Sequence, residues 1–331
     1  MRVSNNLLYR TYERNLEDIQ SRKLKQEVKL TTAKEINTLA DNPVGLVKVK
    51  QLTTKIDRNE AYKSNIDNAI GEMAVVGEEL DAIYEKMENI RQLAIESTLT
   101  GNSSNLPTLG VYVKGLLEDI IKDSNVDFNG RFVFAGTITN GDAIIPTPPA
   151  TNTQPFELVQ EAATAANPSG LRVVFKGNNK DRYINKDDTS TELVNVKASE
   201  VFGGAGDEVF SPIIGLYNLL TYNPDGTMRT SADGFTRDDM GRVNEIQKQI
   251  SRQEEQVNNI AAINGSRINR LTALKDQIDF ENIRLREFRS IDEDTDYAKA
   301  TLNLAREDNA LQYSLQIGGN LARLSLLDFL G

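Results

Sequence analysis

Both ends of this chain carry apolar residues at helical spacing, while the middle is proline-rich and reads as short strands. Helices at opposite ends of a sequence can bury their apolar faces only on each other or on other copies. Between Asn65 and Ala94 the apolar positions run Ile66, Ile70, Met73, Leu80, Ile83, Met87, Ile90 and Ala94, with Val76 and Gly77 straddling the one missing step. Alternating steps of three and four residues mark a coiled-coil seam. Beyond the middle segment, Val243, Ile246, Ile250, Val257, Ile260, Leu271, Leu274 and Ile278 keep the same rhythm, and Gln253, Asn264 and Arg267 fall at the skipped positions. The pattern predicts a chain that leaves along one set of helices and returns along another.

Five zones follow. The first, to about Thr38, is a helix with the stripe Leu8, Tyr12, Leu16, Ile19, Leu24 and Val28. A loop at Leu39–Gly45 contains Asp41-Asn42-Pro43, two turn formers and a helix-starting proline. The second zone is a long helix from about Val44 to Leu99, closed by Gly101-Asn102-Ser103-Ser104-Asn105. A shorter helix near Leu109–Ser124 follows, with Leu109, Val113, Leu116 and Ile120 facing the core. In the third, Asn129-Gly130 suits a type I′ turn beside the strand-like Arg131-Phe132-Val133-Phe134. The fourth, Thr137 to Arg237, holds seven of the nine prolines and therefore excludes long helices. Its strand candidates are Leu171–Phe175, Arg182–Asn185 and Glu192–Lys197, with a turn at Asp225-Gly226. The fifth is helix from Asp238 to the end, broken around Ile291 to Asp296. The fold class expected is mainly α with a β-rich insert (α+β), a long antiparallel helical coiled-coil bundle bearing a small β domain. Its expected parts are terminal helices (1–43 plus 292–331), a helical bundle with a short hairpin (44–138 plus 238–291) and the insert (139–237).

Composition removes whole classes of chemistry. The 331 residues contain no Cys, His or Trp, which excludes thiolate and imidazole nucleophiles, His-based triads and thiolate or imidazole metal sites. Carboxylate pairs, Ser-Lys dyads and oxygen-ligand metal sites survive that filter. The net charge of -10 lacks the basic footprint of a nucleic-acid binder. No apolar run is long enough to span a membrane, and the N-terminus has no apolar core or cleavage site of a secretory signal. Export by a route that keeps the N-terminus stays open.

The run Leu30-Thr31-Thr32-Ala33-Lys34-Glu35-Ile36-Asn37-Thr38-Leu39-Ala40-Asp41-Asn42-Pro43 resembles the N-terminal signature of the bacterial flagellin family. Asn264-Gly265-Ser266-Arg267-Ile268-Asn269-Arg270-Leu271 is similar to the family's return-helix motif, and Ser325-Leu326-Leu327-Asp328-Phe329-Leu330-Gly331 resembles its terminus. The family's usual Gly is Ala33 here, and alanine can stay helical where glycine need not. Within the family, Met1-Arg2-Val3-Ser4, Arg131-Phe132-Val133-Phe134-Ala135-Gly136-Thr137 and the ending Leu-Asp-Phe-Leu point to its hook–filament junction members, with the filament subunit as the alternative. The resemblance implies an extracellular structural subunit of the flagellum, exported unfolded without a cleaved signal. It also implies self-association in a ring, contacts with the other hook-associated junction protein and with flagellin, and an export chaperone on the C-terminal helix. A metalloprotease insert, which some relatives hold, needs a His-Glu-x-x-His helix, and this chain has no His.

The terminal stripes could also form an ordinary helix pair within one chain, a less favoured reading of the same periodicity. Asp292-Glu293-Asp294-Thr295-Asp296 reads as a helix start rather than a cation site, because carboxylates favour the positive end of the helix dipole. Gly203-Gly204-Ala205-Gly206 lacks the Lys-Ser/Thr of a phosphate loop and reads as a turn. No catalytic, cofactor or metal residue is expected. The residues expected to carry assembly are Leu8, Leu16, Ile19 and Val28 on the N-terminal side. Their counterparts are Leu311, Leu315, Ile317, Leu321 and Leu324. Burying such a stripe contributes on the order of 10 kcal/mol before ordering entropy is subtracted, enough to order termini only when a neighbour arrives.

Overall fold

Helix α1 (Arg2–Thr32) stops six residues before the expected boundary, and Ala33 is the reason. Its φ of 62° is left-handed, so it ends the helix instead of continuing it, against the expectation from alanine's helix preference. A computed structural model describes residues 2–99, 105–140, 144 and 150–330, with side chains between 7 and 321. The remaining elements are α2 (Pro43–Ser97), α3 (Leu106–Ser124), β1 (Asp127–Phe128), β2 (Arg131–Phe132), β3 (Phe156–Gln160), β4 (Leu171–Phe175), β5 (Tyr183–Asn185), β6 (Thr191–Leu193), α4 (Ala198–Phe202), α5 (Phe210–Thr221), α6 (Arg237–Glu293) and α7 (Tyr297–Leu330). Each sheet is an antiparallel pair: β1–β2, β3–β4 and β5–β6. Residues Gly101 to Ser104 of the expected loop and Pro146, Pro148 and Pro149 lie outside the described residues.

The chain divides into two units, Met1–Glu60 with Ile278–Gly331, and Ala61–Gln277. In the second, the α2 seam is unbroken. Ile66, Met73, Leu80, Met87 and Ala94 alternate with Ala69, Val76, Ile83 and Ile90, all buried. Val76 fills the apparent gap, and Ala69 takes the core position assigned to Ile70, which is half-buried. On α6, Val243, Ile250, Val257, Asn264 and Leu271 recur every seven residues and are all buried. Asn264 donates from Nδ2 to the Met73 carbonyl at 2.7 Å, so the polar member of the ladder joins α6 to α2. On α3, Leu117 is buried and Leu116 only half-buried, a one-residue correction to the expected core face.

The expected hairpin forms. Asn129 and Gly130 both have positive φ, 53° and 75°, as a type I′ turn requires. The insert is less purely β than its prolines suggest. Pro212 sits in the first turn of α5, where its missing N–H is harmless. Phe156 of β3, Phe202 of α4 and Phe210 of α5 cluster with Phe134, with ring centroids 5.0 to 5.9 Å apart. These rings join the α2, α3 and α6 side chains in one apolar core.

Candidate assembly surface

The other unit begins from two helix breaks that meet. α1 ends at Thr32, and α7 starts after Asp294–Asp296. Across the breaks, the Glu35 N–H donates to the Glu293 carbonyl at 2.7 Å and the Thr295 N–H to that of Ala33 at 2.9 Å. Lys34 pairs with Glu293. The Asp41-Asn42-Pro43 loop works as a connector with caps. Asp41 Oδ2 accepts the Thr38 N–H at 2.8 Å and its hydroxyl at 2.9 Å, which hold the carboxyl below its ordinary pKa. Asn42 Oδ1 accepts the Gly45 N–H at 2.9 Å as the N-cap of α2. The acidic run is spent on contacts of the same kind: Asp292 pairs with Lys48 at 2.6 Å, and Asp296 Oδ1 accepts the Lys299 N–H at 3.0 Å at the start of α7.

From these breaks α1 and α7 run antiparallel against each other. Arg22 Nε lies 3.1 and 3.2 Å from the two carboxylate oxygens of Glu307, and Lys23 pairs with Asp308 at 2.7 Å. Asp308 holds the Lys23 ammonium above its ordinary pKa. The Tyr9 hydroxyl donates to the Leu321 carbonyl at 3.2 Å. Gly318 leaves room for the Tyr12 ring, because a Cβ there would lie 2.2 Å from the Tyr12 hydroxyl oxygen.

The pairing does not close the apolar surface. Leu16, Ile19, Leu311 and Leu321 are half-buried, whereas Leu8, Val28, Leu315 and Ile317 are exposed. The side chain of Leu324 lies outside the described residues. An apolar groove of about 600 Å³ runs between the two helices. Leu8, Tyr12 and Ile19 line one wall, and Tyr313, Ile317 and Leu321 the other. At 100° per residue, Ala310, Tyr313, Ile317 and Leu321 share one face of α7, while Leu311 and Leu315 fall on another. Leu7 and Tyr313 also line the groove and were missed by the stripe; the spacing of Tyr313 from Ile317 was the available signal. Among the described residues, no three His, Cys, Asp or Glu side chains converge as metal ligands, and no helix is long and apolar enough to cross a membrane.

Residues 3–139 match the family of the bacterial flagellin N-terminal helical region. Flagellar hook-associated protein 3 of Escherichia coli strain K12 is 20% identical over 229 residues, 69% of this chain and 61% of that protein. The chain thus spans 61% of that relative's length. Among solved structures, a candidate flagellar hook-associated protein from Vibrio parahaemolyticus superposes with a TM-score of 0.61 at 18% identity, covering 76% of this chain and 99% of that one. The flagellar junction protein FlgL from Legionella pneumophila gives a TM-score of 0.52 at 13% identity, with coverage of 73% and 98%. At these identities the likeness to solved structures is one of fold.

Proposed function

We infer, from the premise that this chain is a flagellin-like protein resembling the hook-associated FlgL proteins, that it is a structural subunit of the bacterial flagellum. In this reading it joins the hook-side junction ring to the filament, outside the cell. The observation that carries the reading is the α1/α7 pair. It is cross-linked by ion pairs, yet it leaves an apolar groove and a row of apolar side chains on its surface. An isolated chain gains nothing from that surface; an assembly covers it. A ring requires heterologous contacts that close on themselves, and the groove of one copy meeting a different face of the next is such a contact. The partners of this reading are further copies of the chain, the other hook-associated junction protein, flagellin, and an export chaperone that shields the apolar face of α7 before unfolded secretion.

Leu321 tests the reading, because it lines the groove and is only half-buried. Leu321→Asp is expected to leave the melting of unit 61–277 unchanged and to abolish incorporation at the junction. Cells carrying the variant with normal filaments and motility would contradict it. The match to the flagellin N-terminal region also suits a filament subunit. Electron microscopy of the purified chain separates the two, since heterologous contacts that close give rings and contacts that do not close give long polymers.

A further inference from the structure

The two larger strand pairs of unit 61–277 are fastened in different ways. β3–β4 places Phe156 and Val173 in the apolar core. β5–β6 places no residue there: Tyr183, Asn185 and Thr191 are exposed, and Ile184, Glu192 and Leu193 half-buried. Polar contacts to two helices hold it instead. Arg182 forms an ion pair with Glu72 of α2, and Glu192 one with Arg270 of α6. The Tyr62 hydroxyl of α2 donates to Asp188 Oδ1 at 2.8 Å, at the tip of the hairpin. Arg267 Nη1 of α6 donates to the Asn195 carbonyl at 3.1 Å. Arg267 and Arg270 belong to the run Asn264–Leu271, to which the assembly reading gives no task.

We propose that β5–β6 is a charge-latched strap across α2 and α6 that opens as a unit while the apolar core stays folded. The base of the strap is built to survive opening. Asn195, buried, accepts the Arg182 N–H at 2.8 Å and donates to the Lys180 carbonyl at 3.0 Å, tying the two strand ends together. Directly beyond it, Val196 and Ala198 enter the core. The hinges therefore lie at 180–182 and 194–196. Between them the strap is anchored by charge, and salt screens charge where it leaves apolar burial intact. Arg182 lies at the hinge and stays on Glu72; between the hinges, opening breaks the Glu192–Arg270 pair and the Tyr62–Asp188 bond and frees the guanidinium of Arg270. The proposal does not depend on the flagellar reading.

Hydrogen exchange on the full chain, followed by peptide in 50 mM and 1 M NaCl, tests it. Exchange of amides 183–193 is expected to rise about tenfold in the higher salt, with amides of β3 and β4 unchanged. Glu192→Gln combined with Arg270→Gln is expected to produce the same rise at 50 mM and to remove most of the salt dependence. A strap whose exchange changes less than about twofold, or that rises together with β3–β4, overturns the proposal.

Discussion

The two units handle apolar residues in opposite ways. In 61–277, apolar faces of α2, α3, α5 and α6 share one core with Phe134, Phe156, Phe202 and Phe210. Among the described residues of the terminal unit, buried apolar side chains are few; they include Ile36, Val49, Ile56, Ile278 and Leu285. Yet Leu7, Leu8, Leu24, Val44, Phe280, Phe288, Ile291, Tyr313, Leu315 and Ile317 are exposed there. Two long helices laid side by side cover one stripe each, and a second apolar stripe on either helix has nowhere to go within the chain. A bundle that wraps an insert closes its own core. A helix pair at the chain ends stays open, and the proposed assembly is the use for that openness.

Truncating the same kind of side chain in each unit tries to break this contrast. Phe202→Ala, in the middle of the aromatic cluster, is expected to cost about 3–5 kcal/mol of stability by denaturant titration. A cost below 1 kcal/mol would show that the core is not where the unit's stability lies. Acid probes the polar part of the same unit. Burial alone would raise the Glu157 pKa, but Lys176 at 2.7 Å and the N–H groups of Thr151 and Asn152 outweigh it and bring it down to about 2. A depressed carboxyl stabilises the fold above its unfolded value and loses that contribution as pH falls. The wild-type melting temperature is therefore expected to drop between about pH 4.5 and pH 2 more steeply than that of Glu157→Gln; parallel curves would remove this pair from the account.

The smaller effects belong to the terminal unit. Ala33→Gly relieves a left-handed alanine and is expected to stabilise that unit by about 1 kcal/mol. Melting followed by helix signal checks it, and destabilisation would mean that the φ of Ala33 is not strained. Leu8→Ala, at 49% exposure, is expected to change monomer stability by less than about 0.5 kcal/mol and to weaken polymerisation. A large loss of monomer stability would show that the groove is already closed.

Much of this architecture was legible. Period-seven spacing located α2 and α6, Asn129-Gly130 located its turn, and the break before α7 fell within the expected Ile291–Asp296. The misses have physical causes. α5, Phe210-Ser211-Pro212-Ile213-Ile214-Gly215-Leu216-Tyr217-Asn218-Leu219-Leu220-Thr221, is apolar almost all round, so it shows little periodicity, and its proline argued against a helix it merely begins. β3, Phe156-Glu157-Leu158-Val159-Gln160, has one β-branched residue where β4 has Val173 and Val174 together, so its strand signal is the weaker of the two. Ala33 is set by the bond its carbonyl accepts from Thr295, a contact between distant parts of the chain that local preference does not contain. Which stripe residues stay exposed depends on how α1 and α7 turn toward each other. Spacing therefore named Ile19, Ile317 and Leu321 but not Leu7 or Tyr313.

The central claim is that the terminal helices expose a surface that waits for neighbours. Hydrogen exchange of α1 and α7 amides, compared between the purified chain and its assembled form, tests it most directly. The account predicts fast exchange before about Leu39 and after about Tyr297 in the isolated chain, strong protection of both once assembled, and no change in 61–277. Full protection of both helices already in the isolated chain would contradict it.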